Sequence, residues 1–229
     1  RVIDVGIAEA EAVASAAGMA YQGAHPVVAL YATFLNRGFD QLLMDVALHR
    51  AGVTFVLDRA GVTGADGASH NGVWDIAMCS IIPGLRLAAP RDEETLRARL
   101  REALDVDDAP TVIRYRKGSL PEPMPALRSV GGVDILFDEA VADSRARVLI
   151  VGTGACAPDA IEAARRLSAG GVNVTVADPQ WMIPVCPELA TLARDYDCVV
   201  SVEDGIVQGG FGWSLRDALA EADVPVRCL

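Results

Sequence analysis

The sequence predicts an α/β chain of two domains, each a mainly parallel sheet covered by helices, and three observations carry that expectation. Short apolar runs alternate with segments of helical period about ten to fifteen residues long, the pattern of parallel strands joined by crossover helices. With 229 residues and 52% hydrophobic content, the chain can fill one large core or two ordinary ones. Between 119 and 131 the pattern dissolves around Pro121, Pro123, Pro125 and the first glycine of the Gly131-Gly132 pair. That stretch sustains neither period, so it reads as a linker between domains at 1–118 and 132–229.

Taken in order, Val2 to Val5 reads as a buried strand. Glu9 then opens an Ala-rich helix to about Gln22, stopped by Gly23 with Pro26 beyond. Pro26 to Tyr31 is the next apolar run, Phe34 to His49 has helical period, and Val53 to Asp58 is a strand of the buried type. A glycine-rich loop from Asp58 to Gly72 follows, then a short helix from Trp74 to Ile82 and a strand from Leu85 to Ala89. Asp92 caps a helix to Leu104, with Glu93 and Glu94 facing the positive end of its dipole. Thr111 to Tyr115 closes the first set. Beyond the linker, strands Val148 to Val151, Val172 to Ala177 and Cys198 to Val202 alternate with helices Ala157 to Ala169, Pro187 to Arg194 and Phe211 to Glu221. Val226 to Leu229 reads as a last strand. The chain opens without methionine inside a strand-like run and closes on another, so both ends are expected to be cut from something longer.

Composition narrows the function. A formal charge of -11 opposes binding to a phosphate backbone, which requires a basic surface, so nucleic acid is not expected as a partner. No run approaches a membrane span and no basic-then-apolar leader is present, so the expectation is a cytoplasmic protein without a membrane partner. Cys79, Cys156, Cys186, Cys198 and Cys228 form no Cys-x-x-Cys pair and read as buried small hydrophobes. His25, His49 and His70 lie far apart, so no metal site is expected within the chain. No Gly-x-Ser-x-Gly elbow supports a serine hydrolase.

Two places hold candidate chemistry at strand ends, where α/β folds collect it. Glu9 begins a helix, a position that also suits a carboxylate serving only the dipole. The Asp58 to Gly72 loop brings backbone close to a ligand through its glycines. It presents Arg59 for a phosphate or carboxylate, Asp66 for hydroxyls and His70 for a proton near neutral pH. A third place, Gly152-Thr153-Gly154-Ala155-Cys156-Ala157 with Asp178 after it, matches most of the dinucleotide fingerprint. The favoured reading there is a tight turn needing glycine for close helix packing, since about fifty residues after Asp178 leave too little chain for a second mononucleotide half.

Several motifs in order resemble one family. They are Asp4-Val5-Gly6-Ile7-Ala8-Glu9, Tyr31-Ala32-Thr33-Phe34-Leu35-Asn36-Arg37, Asp58-Arg59-Ala60-Gly61, Gly64 to Gly72, and Arg114-Tyr115-Arg116-Lys117-Gly118. Glu203-Asp204-Gly205 and Gly209-Gly210-Phe211-Gly212 extend the likeness. Together they resemble the 1-deoxy-D-xylulose-5-phosphate synthases of the transketolase superfamily, from the pyrimidine-binding domain through the C-terminal domain. The resemblance implies a transketolase-type transferase that uses thiamine diphosphate and Mg²⁺. Its reaction would condense pyruvate with D-glyceraldehyde 3-phosphate, release CO2 and give a precursor of isoprenoids, thiamine and pyridoxal phosphate.

By the same resemblance, Glu9 holds the aminopyrimidine of the cofactor and starts its activation, and Phe34 stacks on that ring. Tyr31, Arg59 and Lys117 surround the acceptor's phosphate and Arg37 sits near the same pocket. Asp66 and His70 hold acceptor hydroxyls, and His70 also manages protons. Three departures accompany the likeness: Ala10-Glu11 follows the glutamate where the family usually has Gln-His, position 117 is Lys where some members have Arg, and the family's Gly-Asp-Gly and Asn that grip the diphosphate through the metal belong to an N-terminal domain not in this chain. That domain, or a complementary fragment, is therefore an expected partner, within the homodimer that the resemblance implies. Three alternatives stay open: a transketolase-like subunit with another acceptor, a non-catalytic assembly partner, and an NAD-binding protein built on the Gly152 turn.

Overall fold

The computed structural model describes residues 1–144, 146–222 and 224–229. The first sheet has four parallel strands, β1 (Val27–Tyr31), β2 (Thr54–Asp58), β3 (Arg86–Ala88) and β4 (Thr111–Arg114), in the order β1-β2-β4-β3. Its central strands β2 and β4 are almost wholly buried, as the continuous apolar runs of a two-faced parallel sheet require. Pairing of Tyr31 with Asp58 and of Leu57 with Arg114 brings three strand ends to one edge. Helices α1 (Glu9–Ala20), α2 (Phe39–Gln41), α3 (Asp75–Ser80) and α4 (Glu93–Leu104) surround it. The foreseen cap of α4 is present and reciprocal: Thr95 N donates to Asp92 Oδ1 at 2.9 Å, and Asp92 N donates to Thr95 Oγ1 at 3.1 Å.

The second sheet orders as β10-β9-β7-β8-β6-β5. Its strands are β5 (Arg128–Val130), β6 (Val133–Glu139), β7 (Arg147–Gly152), β8 (Asn173–Pro179), β9 (Cys198–Val202) and β10 (Val226–Cys228), with α5 (Ala157–Ala169), α6 (Pro187–Ala193) and α7 (Phe211–Ala218) packed on it. Strand β6 runs antiparallel to both β5 and β8, while β7 to β10 pair in parallel. One apolar core holding Phe55, Leu57, Leu87, Val133, Leu149 and Phe211 runs through both sheets. The edge strand β3 also meets the second half through backbone, with Leu87 N donating to Ile183 O at 2.9 Å and Met182 N to Leu87 O at 2.7 Å.

Several expectations need correction. Val2 to Val5 is not a strand: Val2 is 95% exposed and Ile7 87%, and no strand among the described residues pairs with this segment. An apolar run becomes a strand only where a neighbour takes its backbone groups and a core takes its side chains. Phe34 to His49 is not one helix but a 3-10 segment at Ala32–Arg37, the short α2, and a π-helical turn at Leu42–Ala47. The break falls at Gly38, where an added Cβ would lie 2.8 Å from Val13 Cγ2 and 3.3 Å from Glu9 O, so α1 packs directly on that backbone. Strand β5 lies within the segment read as linker, and β6 was not foreseen. Of the cysteines, Cys79 and Cys156 are buried, the other three half-buried, and all are free.

Candidate functional site

The close contact at Gly38 sets Glu9, at the start of α1, beside the last 3-10 residue, Arg37. Glu9 is 11% exposed in its side chain, and Arg37 Nη1 donates to Glu9 Oε1 at 3.4 Å. The same guanidinium lies 4.6 Å above the centroid of Phe34. Phe34 stacks on Tyr31 (5.8 Å, 16° between planes) and receives the edge of His70 (5.5 Å, 71°). His70 Nδ1 lies 3.0 Å from Ser69 Oγ.

Beyond β2 the chain turns through Arg59, whose φ of +61° is unusual for a side chain of this size. Asp58 offsets that strain by accepting from Arg59 N at 2.7 Å and from the Arg59 guanidinium. In this pose Arg59 covers the Tyr31 ring at 3.9 Å and sets Nε 3.4 Å from Asp66 Oδ2. Lys117 Nζ donates to Asp66 Oδ1 at 2.6 Å, and that hydrogen bond holds Asp66 below the usual carboxylate range. Two cations thus converge on one anionic group.

All eight residues singled out in the sequence fall into one unbroken series of contacts: Glu9, Arg37, Phe34, then His70 and Tyr31, then Arg59, Asp66 and Lys117. A cavity of about 490 Å³ opens beside Lys117, between Tyr115, Arg116 and Leu120 on one side and Ala155 and Pro158 on the other. A larger one, about 680 Å³ and lined by Met44, Leu48 and Pro110, lies at the opposite end of the first sheet and touches none of the eight. Chemistry in an open parallel sheet belongs at the carboxyl ends of its strands, so the series of contacts, not cavity size, locates the candidate site. Among the described residues no group of three or more His, Cys, Asp or Glu side chains gathers to hold a metal.

The arrangement suits a planar, N–H-bearing heterocycle. Arg37 already shows the geometry, since a flat cation lies on the Phe34 face while donating to Glu9. An aminopyrimidine ring would meet the same aromatic face and the same carboxylate, so these residues fit that part of thiamine diphosphate.

Sequence reading missed what lies beneath the site. Arg114 donates Nε to Asp75 Oδ2 at 2.7 Å and Nη1 to Asp204 Oδ1, and Arg116 Nε donates to Asp204 Oδ2 at 3.1 Å. Arg114 and Asp204 both sit in motifs the sequence singled out, but nothing local marks a partnership across 90 positions. The neighbouring Glu203 is a cap: Phe211 N and Gly212 N each donate to it at 2.8 Å. The Gly152 turn is packed as well. A Cβ at Gly152 would stand 2.5 Å from Ala160 Cβ, one at Gly154 would stand 2.8 Å from Ala89 O, and Asp178 is buried against Arg91 at 2.9 Å. At 3% exposure that carboxylate is closed off from a ribose at the surface.

Comparison with known proteins gives matching results. The family model for the transketolase pyrimidine binding domain matches residues 1–123, and that for the transketolase C-terminal domain matches residues 139–229. The chain is 55% identical over 231 residues to a 1-deoxy-D-xylulose-5-phosphate synthase of Corynebacterium glutamicum, covering 99% of this chain and 37% of the relative. It is 57% identical over 228 residues to 1-deoxy-D-xylulose-5-phosphate synthase 2 of Kitasatospora griseola, covering 99% of this chain and 36% of the relative. It therefore spans little more than a third of these curated relatives. Among solved structures, a split gene transketolase described as an inactive beta4 tetramer superposes with a TM-score of 0.83 at 28% identity, over 99% of this chain and 73% of that one. Transketolase from Leishmania mexicana shares the fold, with a TM-score of 0.73 at 24% identity over 90% of this chain and 30% of that one. With both domain models matched in order along it, the chain belongs to the transketolase family and carries that family's pyrimidine-binding and C-terminal domains.

Proposed function

We propose that this chain is the pyrimidine-binding and C-terminal portion of a 1-deoxy-D-xylulose-5-phosphate synthase, joining pyruvate to D-glyceraldehyde 3-phosphate with release of CO2. The observation that carries the proposal is the unbroken series of contacts from Glu9 to Lys117, which places a carboxylate with an aromatic face at one end and paired cations at the other. The 55% identity to a relative bearing that name supports the choice of substrates. Thiamine diphosphate, when bound, supplies the electron sink that lets a 2-keto acid lose CO2.

Seven of the eight site residues have a defined place in this reading. Glu9 holds a ring N–H at Oε1, which requires Arg37 to leave that oxygen. Phe34 stacks on the ring and keeps water from its face. Arg59 and Lys117 turn from Asp66 toward the acceptor's phosphate, and Asp66, once freed, accepts from an acceptor hydroxyl. His70 holds or moves a proton at the acceptor's carbonyl or hydroxyl oxygen. Mg²⁺ and the diphosphate are assigned to an N-terminal domain or complementary fragment outside this chain. A homodimer and a cytoplasmic location complete the proposal, and among the described residues no helix is long and apolar enough to cross a membrane.

Two substitutions assayed together test it, with the diphosphate-binding part present. Glu9→Ala should lower CO2 release from pyruvate by about a hundredfold or more, the scale of a lost proton-transfer partner. Arg59→Ala should raise the acceptor's KM about tenfold while leaving pyruvate's nearly unmoved. Unchanged turnover in the first, or equal KM effects in the second, would refute these assignments.

A further inference from the structure

The geometry points to Asp204, in the C-terminal half, as a positioning residue for the acceptor side of the site: it fixes the base of the loop carrying Arg59, Asp66 and His70 without touching any of the three. The inference rests on the acceptor-binding reading of that loop given above.

Asp204 follows β9, and its side chain is 9% exposed. Its two carboxylate oxygens are divided between two arginines of the other half. Oδ1 accepts from Arg114 Nη1, and Oδ2 accepts from Arg116 Nε at 3.1 Å. Arg114 is 2% exposed and reaches the loop by three routes. Its Nε is held by Asp75 just below the loop's exit, its Nη2 donates to Gly72 O at 3.5 Å, and it ends β4, which pairs with β2. Gly72 is half of the loop's closure, since Gly61 N donates to Gly72 O at 2.7 Å and Gly72 N to Gly61 O at 2.9 Å. The other half touches Asp204 directly: at Gly61, φ +76°, an added Cβ would stand 2.5 Å from Asp204 Oδ2.

These contacts make the carboxylate a wedge under the loop's neck. It packs against Gly61 on one side and pulls Arg114 toward Gly72 on the other, so the width of the neck depends on its two oxygens. Residues 61 and 72 bracket Asp66 and His70, and Arg59 lies two positions before the neck. A shift of the neck therefore moves the acceptor-side groups together. The pyrimidine side, Glu9 and Phe34, hangs on α1 and the 3-10 segment, shares no hydrogen bond or ion pair with Asp204, and meets the neck one step removed, where Gly72 packs on Ala32. Other ties of the loop, such as Thr33 Oγ1 to Ser69 O at 3.1 Å, do not involve Asp204. Selectivity between the two sides is the signature that separates positioning from general support.

Asp204→Asn keeps the shape and removes the charge. In the full chain, backbone amides from 59 to 73 should exchange with deuterium about tenfold faster than in the parent protein while those of β7 and β9 stay unchanged. With the diphosphate-binding part present, the acceptor's KM should rise about tenfold and pyruvate's by less than about twofold. Should Asp204→Asn fail to fold, Arg116→Gln, which removes one donor at a half-exposed position, is expected to give the same pattern in weaker form. Unchanged exchange in 59–73, an even rise across both sheets, or equal KM changes would each overturn the inference. If the parent protein turns over neither substrate, the proposed function fails instead, and the exchange measurement still decides whether Asp204 holds the loop.

Discussion

Two arginine clusters join the halves of the molecule, and they differ by one cation. Arg114 and Arg116 face Asp75 and Asp204, two cations against two carboxylates. Arg91 alone faces Asp134 and Asp178, with Nη1 at 2.8 Å from one and 2.9 Å from the other. The consequences follow from electrostatics in a dry interface. Around Arg114, burial pushes the Asp204 carboxyl up, but the charges and hydrogen bonds of Arg114 and Arg116 outweigh it and hold the group below its ordinary range. Around Arg91 there is one cation to share. Asp134 wins it, aided by Ser129 at 2.6 Å and Gln180 at 3.0 Å, and is held low against burial. Asp178 is left with burial and the charge of Asp134 against Arg91, and burial prevails, pushing it up to about 7. A charge-balanced interface is locked at every physiological pH, whereas one short of a cation holds a proton instead.

Three substitutions would sharpen or break this contrast. The largest effect is expected for Arg114→Met, which strands the fully buried Asp75 and leaves Asp204 with Arg116 alone. Urea unfolding at pH 7 should show a loss of about 3–5 kcal/mol, and a loss below about 1 kcal/mol would end the claim that this pair locks the interface. Arg91→Met should cost less, about 2–3 kcal/mol at pH 8, because Asp178 can take up a proton where Asp204 cannot. Its cost should shrink at pH 5, and a cost equal at both pH values would remove the distinction between the two clusters.

The smallest effect, with the most informative sign, belongs to Asp178→Asn. The folded carboxyl titrates near 7 and the unfolded one near 3.8, so between these values the folded state holds a proton that the unfolded state has released. Stability from this group therefore rises as pH falls from about 7 toward 4. The Asn variant loses that dependence and should be more stable than the parent by about 1 kcal/mol at pH 8, with the order reversed at pH 5, where the parent has gained about 2–3 kcal/mol by taking up the proton. Melting curves at the two pH values decide it, and a destabilised variant at pH 8 would show that Asp178 is held as a carboxylate.

The same contrast separates what could be read ahead from what could not. Asp92 and its helix were legible because a cap is a contact three residues long. Strands β1 to β4 and β7 to β10 were legible because each is a local apolar run. Val2 to Val5 has the same local look and fails because no edge and no core receive it. The interruption at Gly38 was hidden for the opposite reason, since the residue that requires the glycine, Val13, lies on another helix. Strand β6 carried its signal in Val133, Ile135, Leu136 and Phe137, but its proximity to the proline-rich stretch masked it.

At the site, all eight candidates came from ordered motifs, while their order of contact was not legible. Nothing in a string of letters says that Arg37 bridges Glu9 to Phe34, or that Arg59 lies on Tyr31. Sequence by itself determined the βα alternation, the glycine-rich loop and the set of charged groups gathered at strand ends, because each depends on neighbours within a turn or a strand's length. Only the tertiary structure decided which carboxylate meets which arginine across the two sheets. The strength of a buried charge depends on the count of opposite charges within a few ångströms, and that count is assembled from residues up to 90 positions apart.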